Sequence, residues 1–186
     1  RQRGLGLVPE ERNGHAAVPN MTLADNALLT AHSLGKVVTR GLIDATATRT
    51  MAAEVASSFD VRLPQENPMA SALSGGNLQK FVVGREISRR PRVFIVSQPT
   101  WGVDVGAALS IRTAMLDLAA AGSAVVMISQ DLEEIFAISH RVAVLYGGAL
   151  SEAMVTADVT PERLGLLMGG SEAAPGMPAS AAEAHA

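Results

Sequence analysis

The sequence contains no cysteine, and this absence excludes several kinds of site at once. Without thiols, the chain cannot carry a disulfide scaffold, a cysteine-ligated zinc ion or a cysteine nucleophile. Aromatic residues make up only 3% of the chain, which disfavours base stacking and aromatic cages as modes of binding. No apolar run approaches the roughly 20 residues that a helix needs to span a bilayer.

The charge balance narrows the choice of partners. Lys and Arg together number 15, Asp and Glu number 18, and the formal net charge is −3. Because proteins that wrap nucleic acid normally carry a strong basic excess, we expect no nucleic-acid partner. The four histidines lack metal-ligand spacing, so no metal site is predicted from them. With 48% hydrophobic residues, the chain can form a substantial core, and the composition favours a soluble cytoplasmic domain.

Short apolar runs alternate with helical patterns in the second half of the chain, which predicts an α/β fold with a mostly parallel sheet. About residues 20–90 are expected to form a mainly helical lobe, and about 91–170 the rest of an α/β core. Strands are predicted at 4–8, 93–96, 124–128 and 141–146, the last followed by a hairpin partner within 149–155. Residues 171–186 are rich in Ala, Pro, Gly and Ser and are predicted to form a disordered tail.

The first motif with chemical content is LSGGNLQK, at residues 73–80. Gly75 and Gly76 at a helix start leave backbone N–H groups bare, and the helix dipole adds partial positive charge there. Ser74 adds a hydroxyl donor, so the three residues could cradle a phosphate. An ordinary helix N-terminus capped by Ser74 would also account for these residues. For the motif taken alone, this is the preferred explanation.

Two predicted strands end in polar residues. The segment RVFIVSQPTWGVD, at 92–104, places Ser97 and Gln98 after an apolar run, and Ser129 and Gln130 follow the strand at 124–128. In open α/β sheets, ligands bind at the carboxyl edge of the strands. The sequence therefore predicts that these side chains face a ligand site at one edge of the sheet.

Taken together, these segments resemble the ATPases of ATP-binding cassette (ABC) transporters. LSGGNLQK is similar to the signature motif, FIVSQPTWGVDVGA to the Walker B strand and D-loop, and VVMISQDLEEI to the switch-loop strand. SHRVAVLYGG resembles the strand that follows, and GLVPEERNGHAAVPNMTLADN the segment before the helical lobe in the second cassette of simple-sugar and nucleoside importers. The resemblance covers about residues 4–169 and implies a P-loop NTPase core with a helical signature lobe.

The resemblance also implies a composite site, because cassettes of this family bind ATP and Mg²⁺ between two copies. Ser74, Gly75 and Gly76 are expected to contact the γ-phosphate of an ATP held mainly by the partner cassette. Asn77 and Gln79 of the same motif are predicted to be nucleotide-binding residues. Asp104 falls at the position of the D-loop aspartate.

Three positions depart from the family pattern. Ser97 stands where the Walker B Asp supports Mg²⁺, Gln98 where most cassettes have the catalytic Glu, and Gln130 where most have the switch His. An amide can orient a water molecule but cannot take its proton as a general base. We therefore expect the site built on Ser97, Gln98 and Gln130 to be slow or inactive.

No G-x-x-x-x-G-K-[ST] segment occurs, and the chain begins at Arg1, so we expect a fragment of a longer protein that lacks the P-loop. The resemblance implies an importer ATPase on the cytoplasmic face of the inner membrane, bound peripherally to permease subunits. Its other partner would be a second cassette, on the same chain or in a dimer. Two alternatives remain: a non-transport cassette, disfavoured by the absence of heptads and basic segments, and a truncated or regulatory cassette without turnover.

Overall fold

The computed structural model describes residues 3–32 and 37–170, which form two compact units that divide after Ile128. The sequence had suggested a division near residue 90, between a helical lobe and an α/β part. In the structure, the first unit contains both the helices and the parallel strands. The tail predicted at 171–186 lies outside the described residues.

In the residues that the structure describes, the first unit contains five strands and four α-helices. Its elements are β1 (Leu5–Val8), α1 (Leu23–Ala31), β2 (Val38–Thr39), β3 (Leu42–Ile43), α2 (Ala45–Ser58), α3 (Gly75–Ile87), β4 (Val93–Ser97), α4 (Val105–Ala120) and β5 (Ala124–Ile128). The strand order β1-β4-β5 is parallel throughout, as predicted, and β2 and β3 form a separate antiparallel hairpin.

Local sequence explains where the helices begin, because polar side chains cap the bare N–H groups of the first turn. Thr22 and Asp25 form a capping box, with Thr22 accepting from the Asp25 amide. Asp44, Ser74 and Asp104 cap α2, α3 and α4 in the same way. Ser74 of the signature motif therefore fixes the start of α3, which we call the signature helix.

One face of the parallel sheet is buried under helices. Val8, Phe94 and Val96 point to this face and are fully buried, while α3 packs against β1 and α4 against β5. Phe81 and Val82 of α3 are fully buried as well. Since β4 lies in the centre of this sheet, the polar residues that follow it are held next to the start of α3.

The opposite face of the sheet carries exposed apolar side chains. Leu7, Val93, Val126 and Ile128 alternate with the buried residues, and Val126 and Ile128 are 49% and 54% exposed. Within the described part of the chain, this face is therefore an apolar surface open to solvent.

A buried ion network ties α3 to the loop before α1. Glu86 is fully buried and pairs with Arg89 at 2.7 Å and with Arg85 at 3.3 Å. Arg85 also donates to the carbonyl oxygens of Ala16 (2.9 Å) and Asn26 (3.0 Å). The signature helix and residues 16–26 are thus held together by charged hydrogen bonds inside the protein.

The second unit contains α5 (Leu132–Ile138), the short strands β6 (Arg141–Val142), β7 (Leu145–Tyr146), β8 (Ala149–Leu150) and β9 (Met154–Val155), and α6 (Pro161–Met168). The prediction of one strand at 141–146 was wrong, because this segment divides between two antiparallel pairs, β6 with β9 and β7 with β8. The Val144 amide bonds to the Ser151 hydroxyl (2.9 Å), so a side chain interrupts the ladder between the two pairs. The predicted hairpin is confirmed.

None of the helices in the described ranges combines the length and the apolar character needed to cross a membrane.

Candidate nucleotide-binding site

The signature turn, residues 73–77, lies at the exposed start of α3. The Ser74 hydroxyl oxygen accepts hydrogen bonds from the amide nitrogen of Asn77 (3.4 Å) and from its Nδ2 (3.0 Å). The carboxamide oxygen of Asn77 accepts from the amide of Arg62 (2.9 Å), which fixes its orientation. Because Ser74 acts as an acceptor toward Asn77, its own hydroxyl proton remains available to an anion outside the helix.

Gly75 and Gly76 form the first turn of α3, and the 13-residue helix has no acidic residue in that turn. Their N–H groups have no partner within the helix, and the helix dipole adds partial positive charge at this end. A side chain would crowd the turn: a β-carbon on Gly75 would lie 3.0 Å from Nη1 of Arg12. The arrangement of backbone donors and one hydroxyl suits a phosphate.

The turn that follows β4, residues 98–104, lies beside the signature turn; we call it the Gln98 turn. Gln98 has a φ of +49°, a left-handed conformation that is uncommon for a residue with a side chain. The Gln79 side chain donates to the carbonyl oxygen of Pro99 (2.9 Å), which joins α3 to this turn. Gln79 is only 1% exposed, so any effect of its side chain on a nucleotide would be indirect.

Asp104 ends the Gln98 turn and caps α4 by accepting from the Ala107 amide at 2.9 Å. This backbone hydrogen bond, with a smaller contribution from the charge of Lys80, holds the pKa of Asp104 below its ordinary value. A β-carbon on Gly76 would lie 4.0 Å from Oδ2 of Asp104. The structure thus brings Asp104 next to the signature turn, while its carboxylate is partly used for capping.

Ser97 and Gln98 lie at the carboxyl end of β4, where the Gln98 amide continues the ladder by donating to the Ile128 carbonyl (2.8 Å). Both side chains are neutral, and the described ranges contain no cluster of three or more His, Asp or Glu residues that could hold a metal ion. Mg²⁺ sites in proteins normally use one or two carboxylates together with substrate phosphates. The donors at this strand end therefore do not fit a Mg²⁺ site.

Gln130 belongs to the second unit, in the turn that precedes α5. Its side chain is exposed. The neighbouring Ser129 donates to Glu134 at 2.9 Å, and Asp131 caps α5 by accepting from the amides of Glu133 and Glu134. This network fixes the turn around Gln130 and leaves its amide facing solvent.

Sequence reasoning missed Arg12 as a functional candidate, because it lies in what was expected to be an ordinary polar loop. In the structure its Nη2 donates to the carbonyl of Trp101, and its guanidinium lies over the Trp101 ring at 5.6 Å from the centroid. The two residues are 89 positions apart, so no local pattern could have joined them.

Solved structures of ABC ATPase cassettes share this fold. The solved dimer of the ATP-binding cassette MJ0796, in a post-hydrolysis state with ADP and Pi, matches with a TM-score of 0.69 over 84% of this chain and 64% of that one, at 22% identity. The structure of an ATP-binding subunit of an ABC transporter matches with a TM-score of 0.70 over 90% and 69%, at 17% identity. The chain therefore has the P-loop NTPase fold of ABC ATPases.

Curated sequences similar to this chain are ATP-binding proteins of nucleoside and sugar importers. The guanosine import ATP-binding protein NupO of Bacillus subtilis (strain 168) is 36% identical over 91% of this chain, and the nucleoside import ATP-binding protein NupA of Lactococcus lactis subsp. cremoris (strain MG1363) is 38% identical over 91%. The ribose import ATP-binding protein RbsA 1 of Rubrobacter xylanophilus (strain DSM 9941 / JCM 11954 / NBRC 16129 / PRD-1) is 39% identical over 95%. No family model matches the chain.

The chain is homologous to the ATP-binding proteins of sugar and nucleoside ABC importers. It spans about a third of their length: 33% of the guanosine and nucleoside import proteins and 35% of the ribose import protein.

Proposed function

We propose that this chain is part of the ATP-binding subunit of an importer for nucleosides or simple sugars. The observation that carries the proposal is the exposed signature turn, where Ser74, Gly75 and Gly76 offer a hydroxyl and two backbone donors to a phosphate. Its relatives are import ATP-binding proteins, and one structural neighbour is a dimeric cassette with ADP and Pi. The signature turn would meet the terminal phosphate of an ATP held mainly by a second cassette.

The chain's own ATP site would be degenerate. Gln98, at the end of β4, can orient a water molecule through its amide but cannot accept the proton that hydrolysis releases. Ser97 offers a neutral hydroxyl where a carboxylate would hold a cation better. Gln130 can donate to a phosphate but, unlike histidine, does not change charge near neutral pH. Turnover would therefore depend on the site that this chain completes on its partner.

Permease subunits would be the other partners, with the chain bound peripherally at the cytoplasmic face of the membrane. The alternative function is that of a truncated or regulatory cassette that hydrolyses no ATP. The neutral side chains of Ser97 and Gln98 at the strand end favour this alternative for the isolated chain.

Nucleotide titration of the chain, in the presence of an excess of a separately purified cassette that carries an intact P-loop and holds the ATP, tests the proposal. Backbone amide NMR signals of Gly75 and Gly76 should shift with ATP more than with ADP, and AMP should have little effect, because the terminal phosphate is the group recognised. Ser74→Arg should remove the shifts by filling the turn, whereas Ser57→Arg, on an exposed position of α2, should leave them unchanged. Equal shifts with AMP and ATP, or shifts that survive Ser74→Arg, would contradict the proposal.

A further inference from the structure

Arg12 contacts both turns of the candidate site. Its Nη2 donates to the carbonyl of Trp101 within the Gln98 turn, and its guanidinium lies over the Trp101 ring in a cation–π contact. On the other side, the guanidinium lies against Gly75: a β-carbon there would be 3.0 Å from Nη1. A β-carbon on Gly102 would be 3.3 Å from Nη2. One side chain therefore spans the signature turn and the Gln98 turn.

The backbone that carries Arg12 is itself anchored to α3. The amide of Ala17 donates to the Arg12 carbonyl (2.7 Å), and the Ala16 carbonyl accepts from buried Arg85 (2.9 Å). Asn26, also buried, bonds to both the amide and the carbonyl of Val18. The backbone of Arg12 is thus held in place by hydrogen bonds to α3 and α1. A side chain on such a backbone can hold the Gln98 turn in position.

The Gln98 turn has few other attachments of its own. Its internal hydrogen bonds, from Trp101 to Gln98 and from Val103 to Thr100, are both long at 3.3 Å. Gln98 and Gly102 have positive φ values, +49° and +64°. Gln79 holds the turn from inside through Pro99, and Arg12 holds it from outside through Trp101. The ends of the turn are held by the bonds of Gln98 to Ile128 and of Asp104 to Ala107, so loss of the Arg12 contact should loosen its middle, around Trp101.

Arg12 is held by a hydrogen bond and a ring contact to Trp101, not by an ion pair. Among the described residues, no carboxylate lies within ion-pairing distance of its guanidinium, and partial burial lowers its pKa. A planar guanidinium can stack on an indole and donate in the same plane, whereas a lysine ammonium cannot do both.

We propose that Arg12 is a positioning residue, which clamps the Gln98 turn to the signature turn so that the nucleotide-facing segments keep one relative placement. Its effect on nucleotide binding rests on the function proposed above, and its effect on the two turns does not. Loss of the clamp should weaken the response of the signature turn to ATP by about tenfold, since one charged hydrogen bond and one cation–π contact are lost.

The test compares Arg12→Gln and Arg12→Lys in the full 186-residue chain. Arg49→Gln on α2, exposed and away from both turns, serves as the matched control for loss of charge. Trp101 is the single tryptophan, so its emission and iodide quenching report the clamp directly. Amide hydrogen exchange at 100–103 and the amide signals of Gly75 and Gly76 report the two turns.

Both Arg12 variants should change the Trp101 emission, speed exchange in the Gln98 turn and shift the signature amides, with thermal unfolding close to that of the control. If Arg12→Lys restored these signals, charge rather than geometry would be the cause and the clamp would be refuted. Unchanged turns in Arg12→Gln would refute it as well. Failure of the unsubstituted chain to respond to ATP, with the P-loop-bearing second cassette present, would count against the proposed function alone, because the emission and exchange results still decide the clamp.

Discussion

Gly84 of α3 offers a stringent test of how the signature helix is packed. A β-carbon at this position would lie 2.5 Å from Cδ2 and 2.6 Å from Cγ of Phe59, at the end of α2. Carbon atoms in contact normally sit about 3.5–4.0 Å apart, so the ring would have to move by about 1 Å. Cγ is close to the Phe59 backbone, which means that a rotation of the ring alone cannot relieve the clash.

Two effects of opposite sign determine the outcome of Gly84→Ala. Alanine favours a helix over glycine by about 1 kcal/mol. Overpacking a well-filled core costs about 1–3 kcal/mol, and the contacts at Gly84 place it near the upper end of that range. The free energy of unfolding should therefore fall by about 1–2 kcal/mol, although the substitution improves the intrinsic helix propensity.

Urea denaturation followed by circular dichroism measures this change. Gly165→Ala in α6 is the matched control, because a β-carbon there meets nothing within 4 Å, and it should stabilise by about 0.5–1 kcal/mol. In the Gly84→Ala background, Phe59→Leu should recover much of the loss, which gives a favourable coupling in a double-mutant cycle. A neutral or stabilising Gly84→Ala variant would show that α2 and α3 are not packed as described.

Four further outcomes are expected. Glu86→Ala should lower the free energy of unfolding by about 3–5 kcal/mol, because it leaves buried arginines without their carboxylate; a loss below 1 kcal/mol in urea would contradict this. The pKa of Asp104 is lowered in the folded state, so its stabilising effect is present above the unfolded pKa of about 3.9 and is lost as the pH falls through the folded value. The difference in Tm between the unsubstituted chain and Asp104→Asn should accordingly shrink in acid, and a constant difference would refute the assignment. Val126→Lys with Ile128→Thr should reduce self-association in light scattering without loss of stability, since both side chains are exposed on the apolar sheet face. In the assembled ATPase, Gln98→Glu alone should raise turnover little, and a large gain would exclude a degenerate site.

Much of the architecture follows from local sequence. The capping residues Thr22, Ser74 and Asp104 mark helix starts because their side chains satisfy bare amides within three residues. The segments 93–96 and 124–128 are continuous apolar runs, which predicted the strands of a parallel sheet. The order of the signature and D-loop motifs was enough to indicate an ABC ATPase.

Prediction from local sequence failed where strand pairing or side-chain orientation depends on residues that are distant in the chain. The segment 141–146 has strand-forming residues throughout, yet the bond between Val144 and Ser151 splits it into two short antiparallel pairs. Gln79 was predicted from the signature motif to bind nucleotide, and only the fold shows that its side chain is turned inward toward Pro99.

The sequence by itself determined the fold class of this protein, the starts of most helices and the neutral character of Ser97, Gln98 and Gln130, because these depend on single residues and on short spacings. The tertiary structure decided which segments meet. Arg12 and Trp101 are 89 residues apart, and only the packing of β1 beside β4, with α3 against β1, brings the loop after β1 to the turn after β4. Contacts of that range depend on the whole sheet, so no local pattern of residues encodes them.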